Sequence, residues 1–336
     1  MTRTTPPRPL DITEAFPELA GLARTACRLH PVPGKPTVHD SSVGGPLLWP
    51  ADEPWPEYEL TYVPYEPVTK LADIHLRRTL LTRTYSPPGG PGETLTEDEQ
   101  ETLRRASADH PPESFPSGPQ ALIPLAQLYS RDAPGLAFPQ GTDLLQVLWA
   151  PSYEIEGDSA AVQLRWRRTS EVRDVLLAAP EPVYVAMQWC VPVPCVLHPE
   201  PVREFPPYQS LDKDLAARLM EWDFYESELS VAPGWKAGGW PAHFTFRDPP
   251  EPDSAELRCP ECGGPVDALL TVGGTEWGKP NDSWRPVECG EGAERAPGQS
   301  SQDLRDPTDV TIGRGYTLQI YNCVGTPSHL PRRIMQ

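Results

Sequence analysis

The sequence predicts an α+β fold dominated by β structure: two similar antiparallel-sheet halves packed together, a few helices, and a zinc-knuckle element near the C-terminus. Three observations predict it. Proline supplies 45 of the 336 residues, far above its usual share of about 5%. It fixes φ and donates no backbone hydrogen bond, so it favours short strands and loops over long helices. Short apolar runs alternate with turn-rich stretches along most of the chain. Two patterns also recur in the same order. Gly44-Gly45-Pro46 is echoed by Gly238-Gly239-Trp240-Pro241, and Leu145-Gln146-Val147-Leu148 by Leu318-Gln319-Ile320-Tyr321.

Residues 11–29 read as a helix, with Asp11 as N-cap, Glu14 three residues on, and Leu19, Leu22, Ala23, Ala26 and Leu29 at helical spacing. Residues 43–68 read as loops and short strands. Residues 83–119, with the run Ser86-Pro87-Pro88-Gly89-Gly90-Pro91-Gly92, read as a mobile insertion holding one short helix from Thr96, where Thr96 and Glu99 form a capping box. Strands are expected at 121–129, 143–149, 161–167, 184–190, 243–246, 267–272 and 316–322, and a second helix at 211–230. Residues 278–308 read as a polar loop. The chain divides into a helical lead-in over 1–40, a first β-rich half over 41–200 and a second over 201–336.

Charge narrows the function classes. With 47 acidic and 29 basic residues the net charge is −18, a field that repels phosphate backbones and anionic lipid, so nucleic acid and membrane are excluded as partners. The first ten residues have no apolar core of signal-peptide type, and no stretch approaches the roughly 20 apolar residues of a spanning helix. The expectation is a soluble cytoplasmic protein. Seven cysteines, an odd number, with close spacing in such a compartment favour metal over disulfides.

The sharpest chemistry lies in Cys259-Pro260-Glu261-Cys262-Gly263-Gly264. A two-residue gap lets two thiolates grip one ion, and Gly263 permits the tight turn. A tetrahedral zinc ion needs two more ligands. Cys323 closes the last expected strand, and His329 follows across the turn-forming Gly325-Thr326-Pro327. The resulting Cys3His shell leaves no open position, which makes the ion structural. It would tie the C-terminal strand to the start of the preceding β segment. Cys289 is the competing fourth ligand, set inside the polar loop. A CxxC redox pair is the alternative, without a thioredoxin-like βαβ pattern around it.

Cys27, Cys190 and Cys195 read as buried thiols. Glu221, Asp223, Glu226 and Glu228 read as the solvated face of the 211–230 helix. The glycine pairs read as tight turns. Trp49, Trp55, Trp235 and Trp240 crowd them, either lining a groove for a partner or capping the core. Lys236 and His243 flank the second pair.

The loop Ser41-Ser42-Val43-Gly44-Gly45-Pro46 running to Trp49-Pro50, the segment Pro124-Leu125-Ala126-Gln127-Leu128, the run 135–149 ending in a Leu-Gln strand, and Lys236-Ala237-Gly238-Gly239-Trp240-Pro241 resemble the YwqG-like family of bacterial proteins of unknown function. The resemblance spans roughly residues 40–325. It implies a β-dominated fold of two similar halves and no established activity; some family members are regarded as immunity proteins beside toxins. The chain departs from that pattern at Leu269-Leu270-Thr271-Val272, where the family often has Leu-Leu-Gln-Ile, and in its cysteine cluster. The expected function is a zinc-containing binding protein with a protein partner, toxin-like, held by loops around Trp49, Trp55, Trp235 and Trp240. The alternative is a small-ligand binder or enzyme with a site between the halves near His243 and Lys236.

Overall fold

The computed structural model describes all residues except 1–2, 61, 85–92, 153–160, 252–253 and 291–303. In chain order the strands are β1 (Arg24–Arg28), β2 (Val32–Pro33), β3 (Ser42–Val43), β4 (Glu57–Tyr58), β5 (Thr69–Lys70), β6 (Gln120–Ala121), β7 (Ile123–Tyr129), β8 (Leu144–Trp149), β9 (Val162–Arg167), β10 (Tyr184–Val185), β11 (Cys195–Val196), β12 (Glu200–Glu204), β13 (Lys236–Gly238), β14 (Val266–Gly273), β15 (Thr317–Cys323) and β16 (Arg332–Met335). The α-helices are α1 (Ile12–Ala15), α2 (Leu71–Thr84), α3 (Glu97–Ala106) and α4 (Lys213–Met220).

Two six-stranded antiparallel sheets dominate, in the orders β2-β11-β3-β7-β8-β9 and β12-β1-β13-β14-β15-β16. Strands β4 with β6 and β5 with β10 form small ribbons. The two large sheets match position by position. Gln127 faces Gln146 in the first, and Thr271 faces Gln319 in the second. Each has a one-residue bulge at the same place, Leu125 in β7 and Leu269 in β14. Each Gly-Gly turn carries positive φ at both residues, which favours glycine. A Cβ on Gly239 would collide with Ala26 and Glu204. Beyond each turn a backbone N–H returns to the sheet: Leu48 donates to Gln127 Oε1 at 2.8 Å, and Ala242 to Gln319 Oε1 at 3.2 Å. The acceptor changes strand because Thr271 is shorter than Gln127.

The halves exchange a strand. β1 lies between β12 and β13 in the second sheet, whereas β11 lies between β2 and β3 in the first. Cys27 pairs with Ala237 and Pro201; Cys195 pairs with Val43 and Pro33. The residues concerned form a repeat, Cys27-Arg28-Leu29-His30-Pro31-Val32-Pro33 and Cys195-Val196-Leu197-His198-Pro199-Glu200-Pro201, identical at five of seven positions. Divisions at 40 and 200 therefore do not coincide with the sheets. A contiguous apolar core takes Leu125, Val147 and Trp149 from the first sheet and Trp235, Leu270 and Ile320 from the second.

Several expected elements differ. Residues 11–29 are not one helix: α1 stops before Phe16, which precedes Pro17 and so disfavours the α region. A 3₁₀ segment, Pro17–Leu22, follows, then β1, where pairing on both edges overrides the helical spacing. Helix 211–230 splits into α4, capped by Asp212, and a π-helical turn Tyr225–Ser230. Of 184–190 only β10 is a strand, and 243–246 is none. Within 83–119, α2 ends at Thr84 and α3 forms with the Thr96–Glu99 capping box in place; the run 86–92 lies outside the described residues. The 278–308 segment begins with two 3₁₀ turns, Lys279–Trp284 and Val287–Cys289.

Candidate functional site: a four-ligand metal centre

The second sheet positions the cysteine cluster. Cys259 and Cys262 sit in the turn leading into β14, Cys323 ends β15, and His329 lies in the loop leading to β16. The turn is a knuckle: Cys259 N–H donates to Gly264 O at 2.8 Å, and Gly263 N–H to Cys259 O at 2.9 Å, with Gly263 at φ +65°. His329 is brought round by its own N–H donating to Thr326 O at 3.0 Å. The indole of Trp166 in β9 donates to Pro327 O at 3.1 Å, fastening the ligand loop to the first sheet.

The four ligand atoms lie within 4.8 Å of one another. Cys262 Sγ and Cys323 Sγ are 3.6 Å apart, and Cys259 Sγ is 3.3 Å from His329 Nδ1. A tetrahedral site with Zn–S bonds of ~2.3 Å sets two sulfurs roughly 3.8 Å apart. The residues thus fit a single ion, with Nδ1 as the imidazole donor. Cys259 and Cys323 are buried, His329 is half-buried and Cys262 is exposed. Burial pushes the Cys259 thiol up, but the backbone N–H groups of Cys262 and Glu261 and the His329 ring outweigh it and bring it down to about 7. Thr326 N–H lies 3.4 Å from Cys323 Sγ, a further donor to a thiolate. Among the described residues this is the only group of three or more Cys, His, Asp or Glu side chains able to hold an ion.

Cys289 is not part of it. It is buried beside the Arg3 guanidinium, with its thiol pushed up by burial. Cys27, Cys190 and Cys195 are buried free thiols, all raised by desolvation, Cys27 to about 12.

The aromatic set does not converge on a groove. Trp49 and Trp235 are buried. Trp49 donates its indole N–H to Glu53 O at 3.1 Å and packs against the half-buried Trp55, ring centroids 4.8 Å apart. Trp235 lies in the core shared by the sheets. Trp240 is half-buried beneath the Arg24 guanidinium, 3.9 Å from its ring, with its N–H on Leu22 O. Lys236 is sealed: its Nζ lies 2.7 Å from Glu204 Oε1 and 2.8 Å from Oε2, both residues being fully buried. Proline-rich loops leave the core to be closed by large rings, which is why these tryptophans turn inward.

Nor do Lys236 and His243 share a site between the halves. A cavity of about 480 Å3 does lie where the halves meet, lined by Gly135, Phe138, Gly238, Gly239 and Asp267, but it contains neither residue. His243 lies elsewhere, with Nδ1 3.2 Å from Glu226 Oε1. Glu226 departs from the solvated-face reading, because the π-helical turn swings it inward to accept the Tyr208 N–H at 3.0 Å. No local signal in the sequence marks that turn.

No protein-family model and no curated protein matches the chain.

Proposed function

We propose that this is a non-catalytic binding protein whose second sheet is fastened by a structural zinc ion on Cys259, Cys262, Cys323 and His329. The observation that carries the proposal is the convergence of four soft and borderline ligand atoms within 4.8 Å. Three thiolates with one imidazole in tetrahedral array select zinc over harder cations. Four protein ligands leave no position for water or substrate, so the ion contributes stability. Protein purified without chelator is expected to hold one zinc per chain by elemental analysis. Cys259→Ser is expected to weaken it by more than the roughly 10–100-fold that loss of an outer-shell partner costs. Metal-free native protein, or full zinc retention in the variant, would refute the centre.

The partner reading moves away from the tryptophans. The resemblance to the YwqG-like family, some members of which are regarded as immunity proteins, suggests a protein partner, and a cleft of about 700 Å3 beside Gly44, Gly45 and Pro46 supports that reading. It is walled by prolines and overhung by the fully exposed Leu177. Exposed apolar side chains over a groove are the form that partner surfaces take. Leu177→Asp is expected to lower capture of a protein from the native lysate at least about tenfold, as a lost anchor residue does. Unchanged capture would count against this face.

A further inference from the structure

A cavity of about 330 Å3 opens beside the second sheet, lined among the described residues by the second half alone. Comparison of the halves explains it. On the corresponding flank of the first sheet, Leu48, Tyr129 and Leu144 are buried and pack with Val38, Val172 and Val175. The matched register puts Ala242, Gly273 and Thr317 at those positions, for Tyr129 faces Leu144 as Gly273 faces Thr317. All three are smaller. Gly234 backbone fills the space over Gly273, 2.8 Å from where a Cβ would stand. Ala242 and Thr317 remain uncovered and line the cavity. An unfilled apolar void destabilises a core; here a few polar groups are set into its largely apolar walls.

His243 and Glu226 meet there. Both ring nitrogens of His243 are secluded and make no hydrogen bond among the described residues, although Nδ1 lies beside the carboxylate. Burial pushes Glu226 up, but His243 and the Tyr208 N–H outweigh it and hold the carboxyl below its ordinary value. Thr275, Asn281 and Thr317 add hydroxyl and amide groups; among the described residues no Lys or Arg lines the cavity. Apolar walls with a few convergent polar groups are the usual form of a small-molecule site. A site with one carboxylate and neither Lys nor Arg among its described lining residues disfavours carboxylates and phosphates and favours an ammonium group. At the ~30 Å3 that one water occupies in the liquid, the volume suits roughly ten heavy atoms.

We propose that this cavity binds a small molecule bearing a primary amine, its ammonium seated on Glu226 and its other polar groups on Thr275, Asn281 and Thr317. The inference is independent of the metal and of any protein partner. Saturation-transfer NMR on the full chain with putrescine, ethanolamine and glucosamine, against glycerol and acetate, tests it. Transfer to at least one amine is expected at severalfold the glycerol level, with none to acetate. Glu226→Gln is expected to abolish the preference. Ala242→Leu, which restores the plug of the first half, is expected to remove binding while the melting temperature holds or rises. No transfer to any amine, equal transfer to glycerol, or binding that survives both substitutions overturns the assignment.

Discussion

Glu276 is fully enclosed and accepts the Trp235 N–H at 2.8 Å. Burial outweighs the Arg28 guanidinium 3.9 Å away and pushes the carboxyl up to about 7, against an ordinary value of 4.5. Between those values the folded state holds a proton that the unfolded chain has released. Stability therefore falls as pH rises through that window, and levels off above about 7. Glu276→Gln keeps an acceptor for Trp235 and removes the titration. Relative to the native chain, its urea midpoint is expected to rise from pH 5 to pH 8; a constant offset would refute the linkage. Neither Glu276 nor Glu226 was legible as special in the sequence, because their environments are assembled from distant elements. The Cys259, Cys262, Cys323 and His329 cluster was legible, since two of its members are local and the others flank a turn. Of the two readings open for the tryptophans, Trp49 and Trp235 fit the core cap and not the groove; sequence alone does not separate the two, because aromatic density near loops reads alike for both.

At the scale of elements, the ion would join the ends of three neighbouring strands, β14, β15 and β16. Removing it with chelator is expected to speed amide exchange in residues 317–335 by at least about tenfold, while β7 and β8 stay protected, since local opening follows local restraint. Uniform loss of protection across both sheets would show that the centre is not a local fastener. Strands β7, β8, β9, β14 and β15 were readable from alternation and length. β1 was not: the Ala and Leu spacing of residues 19–29 suits a helix, and only pairing with strands roughly 170–210 residues later makes β1 extended. α2 carried no periodic signal strong enough to mark it, with only Leu71, Ile74 and Leu80 buried along its length.

For the whole molecule, the β-rich two-sheet architecture was legible from proline content and two faint four-residue echoes. The stronger echo, at 27–33 and 195–201, was missed because it falls in what reads as helix and loop. It marks the strand exchange that binds the halves. That exchange also orders events during synthesis. β1 leaves the ribosome long before β12 and β13 exist, so a strand with two open edges must wait for most of the chain to follow. The first sheet gains its own completing strand, β11, sooner. Growth of the nascent chain thus closes the first sheet before the second and leaves the earliest strand among the last to find its place, a period in which chaperone capture or mispairing with another copy competes with the fold.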